Sequence, residues 1–304
     1  MRRRMPGPDG GLITRMVIVG FLLAAVYLFF MGVLFAAHVP WVLILVLAGG
    51  GLLVQYFLSD KLALLSMGGH EVTPAQAPEL HGMVERLAQQ MDLPKPRVAI
   101  ADTDMPNAFA TGRNPKHAVV CCTTGILRRL NTEEMEAVLG HELTHVKNRD
   151  VAVITFASFF ATVASFIMQW GFWLGLAGGG RRGRDRDNGA SAFMLVYFAS
   201  ILVWVISFFL IRALSRYREL AADRGSAIIT GAPAHLESAL MKISTGMARI
   251  PNDDLRSKQT LNAFFIVPAL TGGASFGELF STHPSLERRI AQLQKIQREL
   301  YGAR

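Results

Sequence analysis

Between Arg15 and Asp60 the chain carries no charged side chain. His38-Val39-Pro40 divides this stretch into two apolar runs, Met16 to Ala37 and Trp41 to Leu58. Each is close to the roughly 20 residues that cross a bilayer as a helix. The first run is too long for the apolar core of a secretory signal peptide and lacks a small-residue cleavage site. A second pair of apolar runs, Val151 to Gly180 and Ala190 to Ile211, flanks a glycine-rich loop containing Arg181, Arg182, Arg184 and Arg186. The pattern predicts about four transmembrane helices arranged as two hairpins. Arg2, Arg3, Arg4 and Arg15 precede the first span and put the N-terminus in the cytoplasm. If both helices of the second hairpin cross, its arginine-rich loop falls on the opposite side, against the positive-inside rule. The alternative is a re-entrant or partly embedded hairpin.

The segments between the apolar pairs have the periodicities of a folded domain. Leu80, Val84, Leu87 and Met91 form a helical stripe that predicts a helix from Pro78 to Met91, with His81 and Glu85 on its surface. Arg97–Ala101, Asn107–Gly112 and His117–Cys122 read as short strands, the last two separated by turn residues. Asn131 followed by Glu134 gives a capping-box-like start to a helix running through residues 141–145. After the break at Gly231–Pro233, Leu236, Leu240 and Ile243 mark a further helix. Residues 252–277 are polar and aperiodic and read as a loop, and an amphipathic helix begins within Ser281–Ile290. The fold class expected is therefore an integral membrane α-helical protein with a mainly helical α+β domain carrying a small sheet.

Composition narrows the partners. Apolar residues make up 51% of the chain and charged ones 18%, a membrane-like balance. The net charge of +8 suits an anionic membrane surface. No zinc finger, RNA-binding signature or basic helix with interleaved aromatics is present, so nucleic acid is not an expected partner. Cys121 and Cys122 are adjacent and provide neither a disulfide framework nor a Cys-x-x-Cys metal unit.

Candidate chemistry concentrates at His141-Glu142-Leu143-Thr144-His145. Residues four apart share a helix face, so both imidazoles can point at one zinc ion. Glu142 then lies beside the open coordination position, where a carboxylate can take a proton from water as general base. The second apolar hairpin returns the chain near His145, and Arg216–Asp223 follows it. Glu219 can supply the third ligand, and Asp223, one turn on, can hydrogen-bond a ligand histidine. The metzincin pattern is excluded, because its glycine and third histidine positions hold Asn148 and Val151.

Membrane hairpin, HELTH, apolar hairpin, RELAAD and THPSLERRI follow one another in the order found in the HtpX-type membrane zinc metalloproteases of the M48 class. That group is related to the CAAX prenyl endopeptidases, and the chain resembles it over nearly its whole length. The resemblance implies a zincin-like catalytic domain with one zinc per chain, held by His141, His145 and Glu219. It also implies Glu142 as catalytic base and Asp223 behind the ligands, with His283 and Arg289 facing the site to stabilise an oxyanion. Asn107, Ala108, Phe109, Ala110 and Thr111 would be an edge strand that pairs with an extended substrate. By the same resemblance the substrates are damaged or misfolded membrane-associated proteins at the cytoplasmic face of a bacterial inner membrane.

The expected organisation is a transmembrane hairpin at 1–59 and a first catalytic segment at 60–150. A second transmembrane or re-entrant hairpin at 151–214 and a second catalytic segment at 215–304 complete it. A narrower prenyl-protein processing role is the nearest alternative within the same chemistry. A non-catalytic membrane zinc scaffold or assembly factor is the rival from another class. Glu142 argues against the rival, since a structural zinc site closes its fourth position and needs no base. A metal transporter would place ionisable residues within its spans, and these spans have none.

Overall fold

The computed structural model describes residues 10–39, 42, 49–177, 186–250, 266 and 280–302. The helices are α1 (Gly10–Ala36), α2 (Gly50–Met67), α3 (Pro78–Gln90), α4 (Thr124–Leu127), α5 (Thr132–Asn148), α6 (Asp150–Ala177), α7 (Arg186–Thr230), α8 (Pro233–Met247) and α9 (Leu286–Tyr301). The strands are β1 (Gly69–Glu71), β2 (Arg97–Ala101), β3 (Ala108–Thr111) and β4 (Val119–Thr123). The chain divides into two compact units. One comprises Met1–Leu12, Phe57–Ala152 and Ser215–Arg304, and the other Ile13–Tyr56 and Val153–Leu214.

In the first unit the sheet order is β1-β2-β4-β3. Strands β2 and β4 are parallel, while β1 and β3 run antiparallel to their neighbours. Every residue of β4 is buried, as expected of a strand covered on both faces. Cys121 and Cys122 sit there as free thiols, and burial pushes Cys121 up to about 12, which keeps it protonated and inert. Among the described residues, strands β1 and β3 form the two edges. Around the sheet, α3, α5, α8 and α9 contribute Val84, Val138, Leu139, Leu240, Ile243 and Leu293 to one core.

One expectation changes here. His81 is buried rather than on the surface, and its Nε2 lies 2.9 Å from the Val72 carbonyl oxygen. The run ending at Ile211 and the segment carrying Glu219 form one continuous helix, α7, of 45 residues. No proline interrupts residues 190–230, and the one glycine there, Gly225, is a packing position.

The second unit is helical and apolar. Tyr27 donates to the Ala157 carbonyl, and its ring lies 4.7 Å from that of Phe160. Phe30 and Leu34 are buried, whereas Phe21 is 72% and Phe35 85% exposed on the same helix. Three described helices are long and apolar enough to cross a membrane: Gly10–Ala36, Asp150–Gln169 and Ala192–Thr230. At about 1.5 Å per residue, the 28 residues of α6 extend roughly 42 Å, beyond the ~30 Å hydrocarbon thickness. The expected second span, Trp41 to Leu58, begins in residues 41 and 43–48, and the arginine-rich loop includes residues 178–185. Both segments lie outside the described residues, as does the loop at 252–277 apart from Ile266.

Candidate metal centre and active site

The HExxH helix is fixed at both ends. Asn131 accepts from the Glu134 amide at 2.9 Å, and Glu134 accepts from the Asn131 amide at 3.0 Å, completing the capping box. Glu134 also accepts from Ser238 at 2.7 Å and Lys242 at 2.8 Å, which ties the start of α5 to α8. Burial pushes the Glu134 carboxyl up, but these hydrogen bonds and the Lys242 charge hold it below the usual range. At the other end Arg149 takes a left-handed conformation (φ 55°), so the chain breaks before α6 begins at Asp150.

Within α5, His141 and His145 are one turn apart. Their ring centroids are 4.7 Å apart and the Nε2 atoms 3.1 Å apart. Helix α7 approaches α5 closely enough to bring Glu219 to this pair. A Cβ on Gly225 would lie 2.4 Å from Thr144 side-chain atoms, and one on Gly140 would lie 3.3 Å from Ser226 and Ile229. Ser226 donates across the same crossing to the Ala137 carbonyl at 2.5 Å. Glu219 Oε2 is 3.6 Å from His141 Nε2, and Oε1 is 3.4 Å from His145 Nε2.

These separations fit a metal ion. Tetrahedral nitrogen and oxygen ligands at about 2.0–2.1 Å from a zinc ion lie roughly 3.4 Å from one another. The two Nε2 atoms here stand 3.1 Å apart, with Glu219 reaching His145 through Oε1 at 3.4 Å and His141 through Oε2 at 3.6 Å. One donor atom from each of the three residues lies within 4.8 Å of the others. The buried Oε2 of Glu219 makes no fully formed hydrogen bond and lies 3.6 Å from His141 Nε2 and 3.2 Å from His283 Nδ1. Two imidazoles and a carboxylate also match the donor set of a catalytic zinc site.

The outer nitrogens of both histidines face carboxylates. His141 Nδ1 is 2.9 Å from Asp223 Oδ1, and His145 Nδ1 is 2.6 Å from Asp150 Oδ2. A carboxylate only accepts, so a proton on each Nδ1 leaves each Nε2 lone pair turned inward. Burial alone would lower the pKa of His141, but Asp223 and Glu219 outweigh it and raise the net value. Arg289 grips Asp223 with two bonds, Nε to Oδ2 at 2.8 Å and Nη2 to Oδ1 at 2.6 Å. Its Nη1 donates to the Ile266 carbonyl at 2.6 Å and lies 3.7 Å from Glu219 Oε2. His283 is buried with Nδ1 3.2 Å from Glu219 Oε2. The cap of α9 is Ser285, which accepts from the Arg288 amide.

Glu142 is buried and accepts from the Ala110 amide at 2.8 Å. Burial pushes its carboxyl above the ordinary glutamate value, towards the pH at which a general base is effective. The Ala110 N–H therefore points away from β4 and out of the sheet edge. Ala108, Phe109, Ala110 and Thr111 pair with Cys122, Cys121, Val120 and Val119. Asn107 precedes the strand; its backbone N–H donates to Thr123 at 2.9 Å, and its side-chain oxygen accepts from the Ile266 amide at 3.0 Å. A small open cleft near the end of β3 is lined by Ala110, Thr111, His145, Val146 and Val151.

Three neighbours of the site were not found from sequence. Asp150 and Arg218, which form a buried ion pair, carry no role in the sequence reading. Ile266, clasped between Asn107 and Arg289, lies in a segment with no periodicity.

Comparison with known proteins identifies the family. The model of peptidase family M48 matches residues 74–297. A protease HtpX homolog from Moorella thermoacetica is 62% identical over 98% of this chain and 98% of its own length. Protease HtpX homolog 2 from Methanosarcina acetivorans is 56% identical over 96% and 97%. In fold, the chain is similar to the crystal structure of S. mikatae Ste24p, with a TM-score of 0.56 at 16% identity, covering 93% of this chain and 66% of that one. The chain is a membrane metallopeptidase that hydrolyses protein substrates, and it belongs to peptidase family M48.

Proposed function

We propose that the chain is a zinc endopeptidase that cleaves damaged or misfolded membrane-associated proteins at the cytoplasmic face of a bacterial inner membrane. His141, His145 and Glu219 hold one zinc ion per chain. Bound there, zinc supplies a Lewis acid that lowers the pKa of a water molecule and polarises the scissile carbonyl. Glu142 takes the proton from the attacking water and returns it to the leaving amine. The observation that carries this assignment is the placement of Glu142, a buried carboxylate beside both histidines and bonded to an edge-strand amide.

Asp223 orients His141, and Arg289 acts chiefly by holding Asp223. His283, beside Glu219, is placed to stabilise the developing oxyanion. An extended substrate pairs with the edge formed by residues 107–111, Asn107 anchoring its start, and shares the Ala110 N–H with Glu142. The unit containing Phe57–Ala152 and Ser215–Arg304 is the catalytic domain, and the other is the membrane anchor. The N-terminal arginines support the cytoplasmic orientation. Substrates that lie in or on the bilayer share the surface at which the apolar helices emerge.

The test compares parent protein and Glu142→Gln, purified in detergent, on an unfolded model substrate after chelation and zinc restoration. The expected result is zinc-dependent cleavage that falls about 10²–10⁴-fold in the variant while zinc remains bound. Equal cleavage by the variant would show that Glu142 is not the base.

A further inference from the structure

The ligand histidines are supported unequally in sequence but alike in space. His141 has Asp223, one turn beyond Glu219 on α7. His145 has Asp150, which lies on neither ligand-bearing turn. Left-handed Arg149 ends α5 and turns the chain, so that the first residue of α6 places its carboxylate back against His145. Asp150 is buried, and its other oxygen meets the guanidinium of Arg218, also buried and adjacent in sequence to Glu219. Arg218 Nη2 further approaches the Asn148 carbonyl at 3.5 Å, close to the end of α5. One ion pair thus joins the turn after the HExxH helix to the helix that supplies the third ligand.

We propose that Asp150 is the positioning residue for His145 and that Arg218 holds Asp150 in place. Asp150 accepts the Nδ1 proton, fixes the ring plane and directs Nε2 at Glu219. Arg218 neutralises the buried carboxylate and keeps it from turning away. The inference rests on His141, His145 and Glu219 being metal ligands, and it adds two residues that set how tightly the metal is held.

The experiment measures zinc affinity of the detergent-purified full chain by chelator competition, together with the visible absorption of the cobalt(II)-substituted protein. Asp150→Ala is expected to weaken zinc binding about 10–100-fold and to alter the cobalt bands, because loss of such a partner lets the imidazole rotate. Asp150→Asn keeps an acceptor for Nδ1–H and is expected to lose less; it decides the question if Asp150→Ala does not fold. Arg218→Met should weaken binding in the parent and add nothing further in the Asp150→Asn background, since its effect passes through the carboxylate. Unchanged affinity and cobalt spectra in both Asp150 variants would overturn the proposal while leaving the ligand assignment intact. If the parent itself binds no zinc, or binds it equally well after His141→Ala, the ligand reading fails and the proposal with it.

Discussion

The two units solve opposite problems with opposite surfaces. The first buries charge: His141, Glu142, Asp223 and Arg289 are withdrawn from solvent, and specific partners compensate them at 2.6–2.9 Å. The second exposes apolar side chains such as Phe21, Leu28, Phe35 and Phe156 on helices whose apolar stretches carry no charge. In water the second surface would be an aggregation hazard, and in lipid it is ordinary. The comparison teaches where each unit is vulnerable. Removing one member of a buried charged pair leaves the other stranded, whereas trimming an outward apolar group leaves nothing unsatisfied.

The largest effect is therefore expected from Asp223→Ala. It strands Arg289 and removes the partner of His141, so a loss of about 3–5 kcal/mol should appear in chemical denaturation of the detergent-solubilised protein. Proteolysis should fall with it. Gly225→Ala comes next, because the new methyl meets Thr144, whose branched side chain is stiff within α5. A loss of about 1–3 kcal/mol is expected by the same measurement, with a weaker hold on metal as α7 moves away from α5.

The sequence carried the local parts of this arrangement. The histidine spacing and the Asn131–Glu134 cap are consequences of helical periodicity, and both could be read within a few residues. Glu219 and Asp223 could be named because they too sit one turn apart, on a segment that a hairpin returns to the site. The contact between Asp150 and His145 could not be read, since it depends on the left-handed turn at Arg149 and on the burial of Arg218 from α7. His81 was misplaced for a similar reason: its partner, the Val72 carbonyl, reaches it only once the chain beside β1 has been laid down.

A smaller effect should follow at the cap of α5. Glu134→Ala removes its side-chain bonds to Asn131, Ser238 and Lys242 and should cost about 1–2 kcal/mol. Because the folded carboxyl titrates below its unfolded value, its contribution is complete above the ordinary glutamate range. It is lost as pH falls through the lower, folded value. Parent and variant should therefore converge in stability at acid pH, as denaturation at a series of pH values would reveal. The smallest effect is expected from Phe35→Ala, which should change stability in detergent by no more than about 0.5 kcal/mol. Phe30→Ala, on the buried side of the same helix, should cost clearly more.

The central claim is that the buried charged cluster is a metal centre completed by the helix returning from the apolar hairpin. Zinc content per chain, measured on parent, Glu142→Gln and Glu219→Ala after dialysis against a weak chelator, tests it most directly. The account predicts one zinc in the parent and in Glu142→Gln, and its loss from Glu219→Ala. Full zinc retention by Glu219→Ala would contradict the account.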